Sequence, residues 1–322
     1  MTGKGRRLPA GIEPITKSVA EPAQSGGATG WPRIALVTPV YNSGRYIEQT
    51  IRSVLAQGYP NLDYFVVDGG STDNTLEVIR KYEGEIAGWV SEPDNGMYDA
   101  INKGFARTSG EIMGWISATD QLHIGGLSVV GSIFRDFAEV EWITARRTVF
   151  NEEGVMVRVD PLMRWSRERF LLGAPNRHIQ QESTFWRRSL WEKAGGRVDA
   201  EWRYASDFEL WVRFFRHAQL YTVDSLIGGF REHADSDSVQ QAERFNARCE
   251  KLAKAELAGQ KLGWMRERLA RMDAAVAKIP KARYFWYNGK KMVLRALYDM
   301  PGGDRPPVIK FDRIAQEWKI EG

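Results

Sequence analysis

A mostly parallel α/β sheet flanked by helices on both faces is predicted by three observations on this chain. Short apolar runs alternate with segments of helical period from Trp31 to Ile116. Each run ends in a polar, turn-rich cluster. The composition, 43% hydrophobic and 27% charged over 322 residues, suits one large buried core with an appendage.

The elements follow in order. Residues 1–30 are rich in Gly, Pro, Ser and Ala and read as a disordered tail, because they bury too little surface to offset the entropy of ordering. Ile34-Ala35-Leu36-Val37 is a buried strand, and Arg45 to Gln57 a helix with Ile47, Ile51, Val54 and Leu55 on one face. Tyr64 to Asp68 is the second strand, ending in Gly69-Gly70-Ser71-Thr72-Asp73; Thr72 or Asp73 caps a helix carrying Leu76, Val78 and Ile79. Ile86 to Val90 is a third strand, Met97 to Arg107 a helix and Glu111 to Ile116 a fourth strand. This rhythm is that of a doubly wound sheet, in which ligands sit at the carboxyl ends of strands. After Asp120 a mixed half follows: a helix over Leu127 to Phe137, strand-like pieces at Glu141 to Val149 and Val155 to Val159, a helix from Asp207 to His217, and strand-like Leu220 to Val223 and Gly228 to His233. Residues 31–237 form one domain, and 238–322 read as a helical extension, with Met265, Leu269, Met272 and Val276 as its apolar stripe.

The bulk properties exclude more than they identify. A net charge of +4 is too small to announce nucleic-acid binding; it suits a solvated surface, an anionic substrate or a negative membrane face. The single Cys249 excludes an internal disulfide and a cysteine zinc site. No apolar segment of signal-peptide type opens the chain and no run of about 18 apolar residues occurs, so a cytoplasmic protein is expected.

Four polar clusters fall at strand ends or helix starts: Thr38 to Asn42, Asp68 to Asp73, Asp94-Asn95-Gly96 and Ser117 to Asp120. A parallel sheet brings such ends to one edge, so they converge on a single crevice. An Asp there accepts hydrogen bonds from a base or ribose, Tyr41 stacks on a base, and helix starts suit phosphates. Asp120 is an oxygen ligand of the hard kind that Mg²⁺ or Mn²⁺ prefers.

From about Ile34 to His233 the chain resembles the family 2 glycosyltransferases of GT-A fold. The resemblance is carried by Val37-Thr38-Pro39-Val40-Tyr41-Asn42, by Val67 to Thr75, by Glu92-Pro93-Asp94-Asn95-Gly96-Met97-Tyr98-Asp99-Ala100-Ile101-Asn102-Lys103-Gly104, and by Ala205 to Arg213. It implies transfer of a sugar from a nucleotide-diphosphate donor to an acceptor hydroxyl, with inversion. Thr38, Pro39, Tyr41 and Asp68 then form the nucleoside pocket, and Asp94, Asn95 and Lys103 the donor-sugar side. Asp207, opening a helix, corresponds to the catalytic base, with Ser206 where the family usually has Glu; the competing view of Asp207 is a simple helix cap. The acidic metal motif is thinned to Ala118-Thr119-Asp120-Gln121. Asp120 remains as the expected ligand of Mg²⁺ or Mn²⁺, with His233 as a further ligand or diphosphate contact and Arg231 beside the diphosphate.

Other features have two readings each. Gln180 to Phe185 is an acceptor-side segment or merely a polar strand start, and Trp165, Trp186, Trp191, Trp202 and Trp211 are sugar-stacking surfaces or core. Tyr284 to Tyr287 with Lys290 and Lys291 is a peripheral membrane anchor at the inner face or a packed helix with a solvated basic end. The Gln-x-x-Arg-Trp signature of processive polymerases is missing, which favours single-sugar addition to a saccharide or lipid-linked acceptor of a surface polymer. A nucleotide-sugar-binding module with lost transfer, and a nucleotidyltransferase, are the alternatives; the short Asn42-Ser43-Gly44-Arg45 loop disfavours the latter.

Overall fold

The computed structural model describes residues 15–16, 30–173, 179–234, 241–260 and 306–322, with isolated helical positions between 263 and 289. At its centre lie β2 (Ile34–Val40), β3 (Leu62–Asp68), β4 (Gly88–Ser91) and β5 (Ile112–Trp115), in parallel order β4-β3-β2-β5. Because helices cover both faces, β2 is buried on both. Ala35 and Val37 pack with α3 (Met97–Phe105), while Ile34 and Leu36 pack with α1 (Ile47–Leu55), α2 (Thr75–Lys81) and α4 (Gly126–Asp136).

The sheet continues beyond β5 through the antiparallel β10 (Phe185–Arg187) to β7 (Trp142–Thr144) and then β11 (Leu220–Val223). A second sheet sets β6 (Gln121–Leu122), β12 (Gly228–Arg231), β8 (Thr148–Phe150) and β9 (Met156–Val159) side by side. Because β6 follows the end of β5 directly, this small sheet brings Arg231 to Asp120.

Three expectations need correction. The segment from Gln180 to Phe185 begins as a single 3-10 turn, Gln181–Ser183, with the strand starting at Phe185; the Gln181 amide hydrogen-bonds the Trp115 carbonyl and holds the turn on β5. The extension after 238 is helical in α8 (Ala242–Glu256), but its described end is a hairpin, β13 (Val308–Asp312) and β14 (Glu317–Glu321). There β13 pairs parallel with β11 and prolongs the main sheet, which the alternation Glu317-Trp318-Lys319-Ile320-Glu321 already encodes. Within the expected N-terminal tail, β1 (Ile15–Thr16) pairs antiparallel with β4. The aromatic and basic residues at 284–287, 290 and 291, and Met265 and Leu269 of the apolar stripe, lie outside the described residues.

On the α3 face, aromatic packing fixes α7 (Ser206–Phe214). Trp211 stacks on Trp115 with ring centres 5.9 Å apart, and Phe208 stacks on Phe170 at 4.3 Å. Trp165, Trp186, Trp191 and Trp211 are buried, so they are core; Trp202 packs half-buried at its edge. Glu256 of α8 accepts from Arg167 and Arg216 at 2.8 and 2.5 Å, tying the extension to the body.

Candidate active site

The strand-end loops are knitted to one another. The Asn42 amide donates to the Ser71 hydroxyl at 2.7 Å, and the Thr72 amide donates to the Asn42 side chain at 2.8 Å. Buried Asp68 accepts the amides of Gly70 and Ser71, both at 3.0 Å, and the hydroxyls of Ser71 and Ser91. Gly69 permits the next loop to dock: a Cβ there would stand 2.5 Å from the Asp94 carboxylate. Asp94 in turn accepts the Gly96 amide at 2.8 Å, and Gly96 turns the chain into α3 at φ 110°, a conformation open mainly to glycine. Burial raises the Asp94 carboxyl above its ordinary range, opposed by Lys103.

The residues expected on this side divide into two groups. Tyr41 is exposed and Asn95 is exposed at the tip of its turn, while Pro39 is buried. Thr38 is turned into the core, its hydroxyl 3.0 Å from that of buried Tyr64, so it supports the strand end from within. Lys103 braces the turn: its ammonium lies 3.1 Å from Glu92 and 3.4 Å from Asp99 and donates to the Pro93 carbonyl.

At the end of β5 the exposure alternates. Ser117 and Thr119 are half-buried, while Ala118 and Asp120 are buried. The crevice side therefore carries two hydroxyls and Asp120 points inward. One of its oxygens accepts the Arg231 amide at 2.9 Å, and its carboxyl meets that of Glu182. Burial, reinforced by Glu182, pushes Asp120 well above the usual carboxylate range, and burial pushes Glu182 up too. His233 packs its ring on Tyr46 at 5.0 Å. Among the described residues no three His, Cys, Asp or Glu side chains are grouped to hold a metal. Of the expected Mg²⁺ or Mn²⁺ ligands, Asp120 is buried against the Arg231 amide and His233 packs on Tyr46, so the described donor set does not fit a cation site.

Arg231 is fully buried behind Thr119. Its Nε donates to the Thr119 carbonyl at 2.6 Å, Nη1 donates to the Glu152 carbonyl at 2.9 Å, and the guanidinium lies over the Tyr46 ring at 5.2 Å. Nη2 has no acceptor. A buried charged donor left so costs about 1–3 kcal/mol or more.

Asp207 lies in the first turn of α7, its oxygen accepting the Phe208 amide at 2.8 Å. Burial pushes its carboxyl up to about 6. Two residues that the motif reading passed over surround it. The Tyr98 phenol, on α3, lies against the amides of Ser206 and Asp207, and Glu182 is close enough for Asp207 to raise it further. Cys249 of α8 is buried nearby and raised by burial and by Asp207. Asn102, one turn after Tyr98, clamps the backbone of Val198 with two bonds of 2.8 Å. The i, i+4 pair of Tyr98 and Asn102 was visible in the sequence; its target was not.

The sequence profile described as "Glycosyl transferase family 2" matches residues 35–195, half of the chain. The chain belongs to this family. It is 30% identical over 193 residues to an uncharacterised glycosyltransferase of Mycobacterium tuberculosis, covering 58% of this chain and 70% of the relative. Among solved structures, S. aureus TarS residues 1–349 in complex with UDP-GlcNAc superposes with a TM-score of 0.58 at 16% identity, over 76% of this chain and 73% of that one. The mannosyltransferase PcManGT of Pyrobaculum calidifontis, in complex with GDP-Man and Mn²⁺, gives a TM-score of 0.50 at 16% identity, over 86% and 89%. At such identities these neighbours establish the GT-A fold. The protein is a glycosyltransferase, and no helix among the described residues is long and apolar enough to cross a membrane.

Proposed function

We propose that this family 2 glycosyltransferase moves a single sugar, with inversion, from a nucleotide-diphosphate donor to a hydroxyl of a saccharide or lipid-linked acceptor. The observation that carries the reading is the half-buried carboxyl of Asp207, raised to about 6 and joined through Tyr98 to the wall that Asp94, Asn95 and Gly96 open. A carboxylate with that affinity for protons is ionised at neutral pH yet able to take one from an alcohol as the alcohol attacks.

In the reaction the acceptor oxygen bonds to the anomeric carbon from the face opposite the diphosphate. The bond from that carbon to the phosphate oxygen breaks with its electron pair on the phosphate, and the acceptor proton passes to Asp207. The Asn42, Asp68 and Asp94 loops hold the nucleoside and donor sugar, and their mutual hydrogen bonds fix that wall before the donor arrives. Complexes of the structural neighbours with UDP-GlcNAc and GDP-Man favour a nucleotide-sugar donor here.

The test is diphosphate release from a panel of nucleotide sugars with a hydroxyl acceptor, by the parent protein and by Asp207→Asn. Release by the parent alone supports transfer. Tight nucleotide binding with no release by either protein favours a binding module instead, a reading that the neutral Ser117 and Thr119 edge keeps in view.

A further inference from the structure

We propose that the positive charge facing the departing diphosphate is the Arg231 guanidinium, standing in place of a divalent cation; the inference rests on the glycosyltransfer reading above. Along Ser117 to Asp120, the half-buried side chains are the hydroxyls of Ser117 and Thr119, with no carboxylate beside them. The one acid of that stretch, Asp120, is engaged inside by the Arg231 amide at 2.9 Å and by Glu182.

Arg231 is built to serve in a fixed position. Its Nε is bound to the carbonyl of Thr119 at 2.6 Å, which sets the guanidinium directly behind a crevice-facing residue. Nη1 on the Glu152 carbonyl and the Tyr46 ring fix its plane. Gly154 lies beside the remaining nitrogen: a Cβ there would stand 3.5 Å from Nη2, and nearer still to the side-chain amides of Gln121 and Gln49. Nη2 is left as a buried cationic donor without an acceptor, and a phosphate oxygen is the acceptor that a guanidinium matches best.

Arg231 also acts as a counter-charge to Asp120, but that role does not by itself set the orientation of the guanidinium. Asp120 is hydrogen-bonded to the backbone amide of Arg231, whereas the guanidinium is spent on two carbonyls. As the sugar–phosphate bond breaks, negative charge grows on the phosphate, and a preoriented cation stabilises that charge without reorganising. The step needs no further reactant.

Calorimetric titration with UDP, GDP, uridine and guanosine, each in EDTA and in Mn²⁺, tests the assignment. The parent protein is expected to bind a diphosphate with an affinity that Mn²⁺ changes by less than about threefold. Arg231→Gln should weaken the diphosphate by on the order of 100-fold and the matching nucleoside hardly at all, with Arg231→Lys between. Should Arg231→Gln fail to fold, Thr119→Asp gives an independent reading: a carboxylate restored to the crevice should weaken the diphosphate in EDTA and create a Mn²⁺ requirement. Diphosphate binding by the parent that tightens more than about tenfold in Mn²⁺, with nucleoside binding unaffected, overturns this inference alone. Absence of binding by all four compounds overturns the glycosyltransfer reading and this inference with it.

Discussion

The two ends of the crevice handle buried polarity in opposite ways. On the Asp68 side the buried acceptors are matched: one carboxylate gathers two amides and two hydroxyls, and Asn42, Asp73 and Asp94 each accept a neighbouring amide. On the Asp120 side two buried carboxyls meet, a guanidinium keeps one donor unmatched, and the Ser206 hydroxyl is buried without a partner. The first arrangement is stable by itself and serves to shape. The second is electrostatically incomplete, and incompleteness of that kind is where chemistry is done. Substitutions should accordingly lower stability on the first side, and on the second should lower activity or even raise stability.

The largest effect is expected at Asp207. Replacement by Asn removes the base and should lower kcat on the order of 10³-fold, within the range of general base catalysis, with donor affinity nearly unchanged. The parent's kcat should rise with pH through about 6, the range in which Asp207 loses its proton. Stability moves the other way. A carboxyl raised from 3.8 to about 6 on folding imposes no penalty below the lower value and its full penalty above the higher one. Asp207→Asn should therefore stabilise the fold above pH 6 by roughly 1–3 kcal/mol and leave it unchanged below pH 4, as urea unfolding at both pH values would register. A variant that loses both activity and stability at neutral pH would mean that Asp207 is only a helix cap.

On the satisfied side, Asp68→Ala strands the amides of Gly70 and Ser71 and the Ser91 hydroxyl. A loss of about 3 kcal/mol is expected from urea unfolding, with Asp68→Asn recovering part of it. At the other end Glu182→Gln should be neutral or stabilising by about 1 kcal/mol at pH 8, since an amide donates to Asp120 without needing a proton. The gain should vanish in acid, where the pair is protonated anyway. Destabilisation by Glu182→Gln as large as that by Asp68→Ala would erase the contrast between the two sides.

How much of this was legible in the sequence follows from the same contrast. The strands and helices from Ile34 to Phe137 were readable because local period and burial agree there: β2 is a continuous apolar run buried on both faces, and α1 shows its stripe at Ile47, Ile51 and Val54. The Asp94 turn was recognisable because its partners lie within ten residues. The surroundings of Asp120 were not legible because its partners are remote: Glu182 comes from 62 positions on and Arg231 from 111, so which face Asp120 takes depends on tertiary packing. Alternation along Ser117 to Asp120 held the clue that Ser117 and Thr119 share one side. The C-terminal hairpin was overlooked because charged residues occupy alternate positions of an edge strand, which lowers its apparent hydrophobicity without changing its period.

The smallest effect is expected at Lys103, which tests whether the satisfied wall is redundant. Its ammonium touches Glu92, Asp99 and the Pro93 carbonyl, all partly solvated, so Lys103→Met should lower stability by only about 0.5–1 kcal/mol. The consequence for the site is electrostatic. Lys103 is the cation that opposes the rise of Asp94, whose carboxyl is pushed upward by burial and, to a smaller extent, by Asp99 and Asp68. Without it Asp94 should titrate higher, and donor binding should weaken in mildly acid buffer more than at pH 8. If Lys103 instead grips the donor directly, affinity would fall equally at both pH values; a pH-selective loss identifies it as the brace of the Asp94 turn.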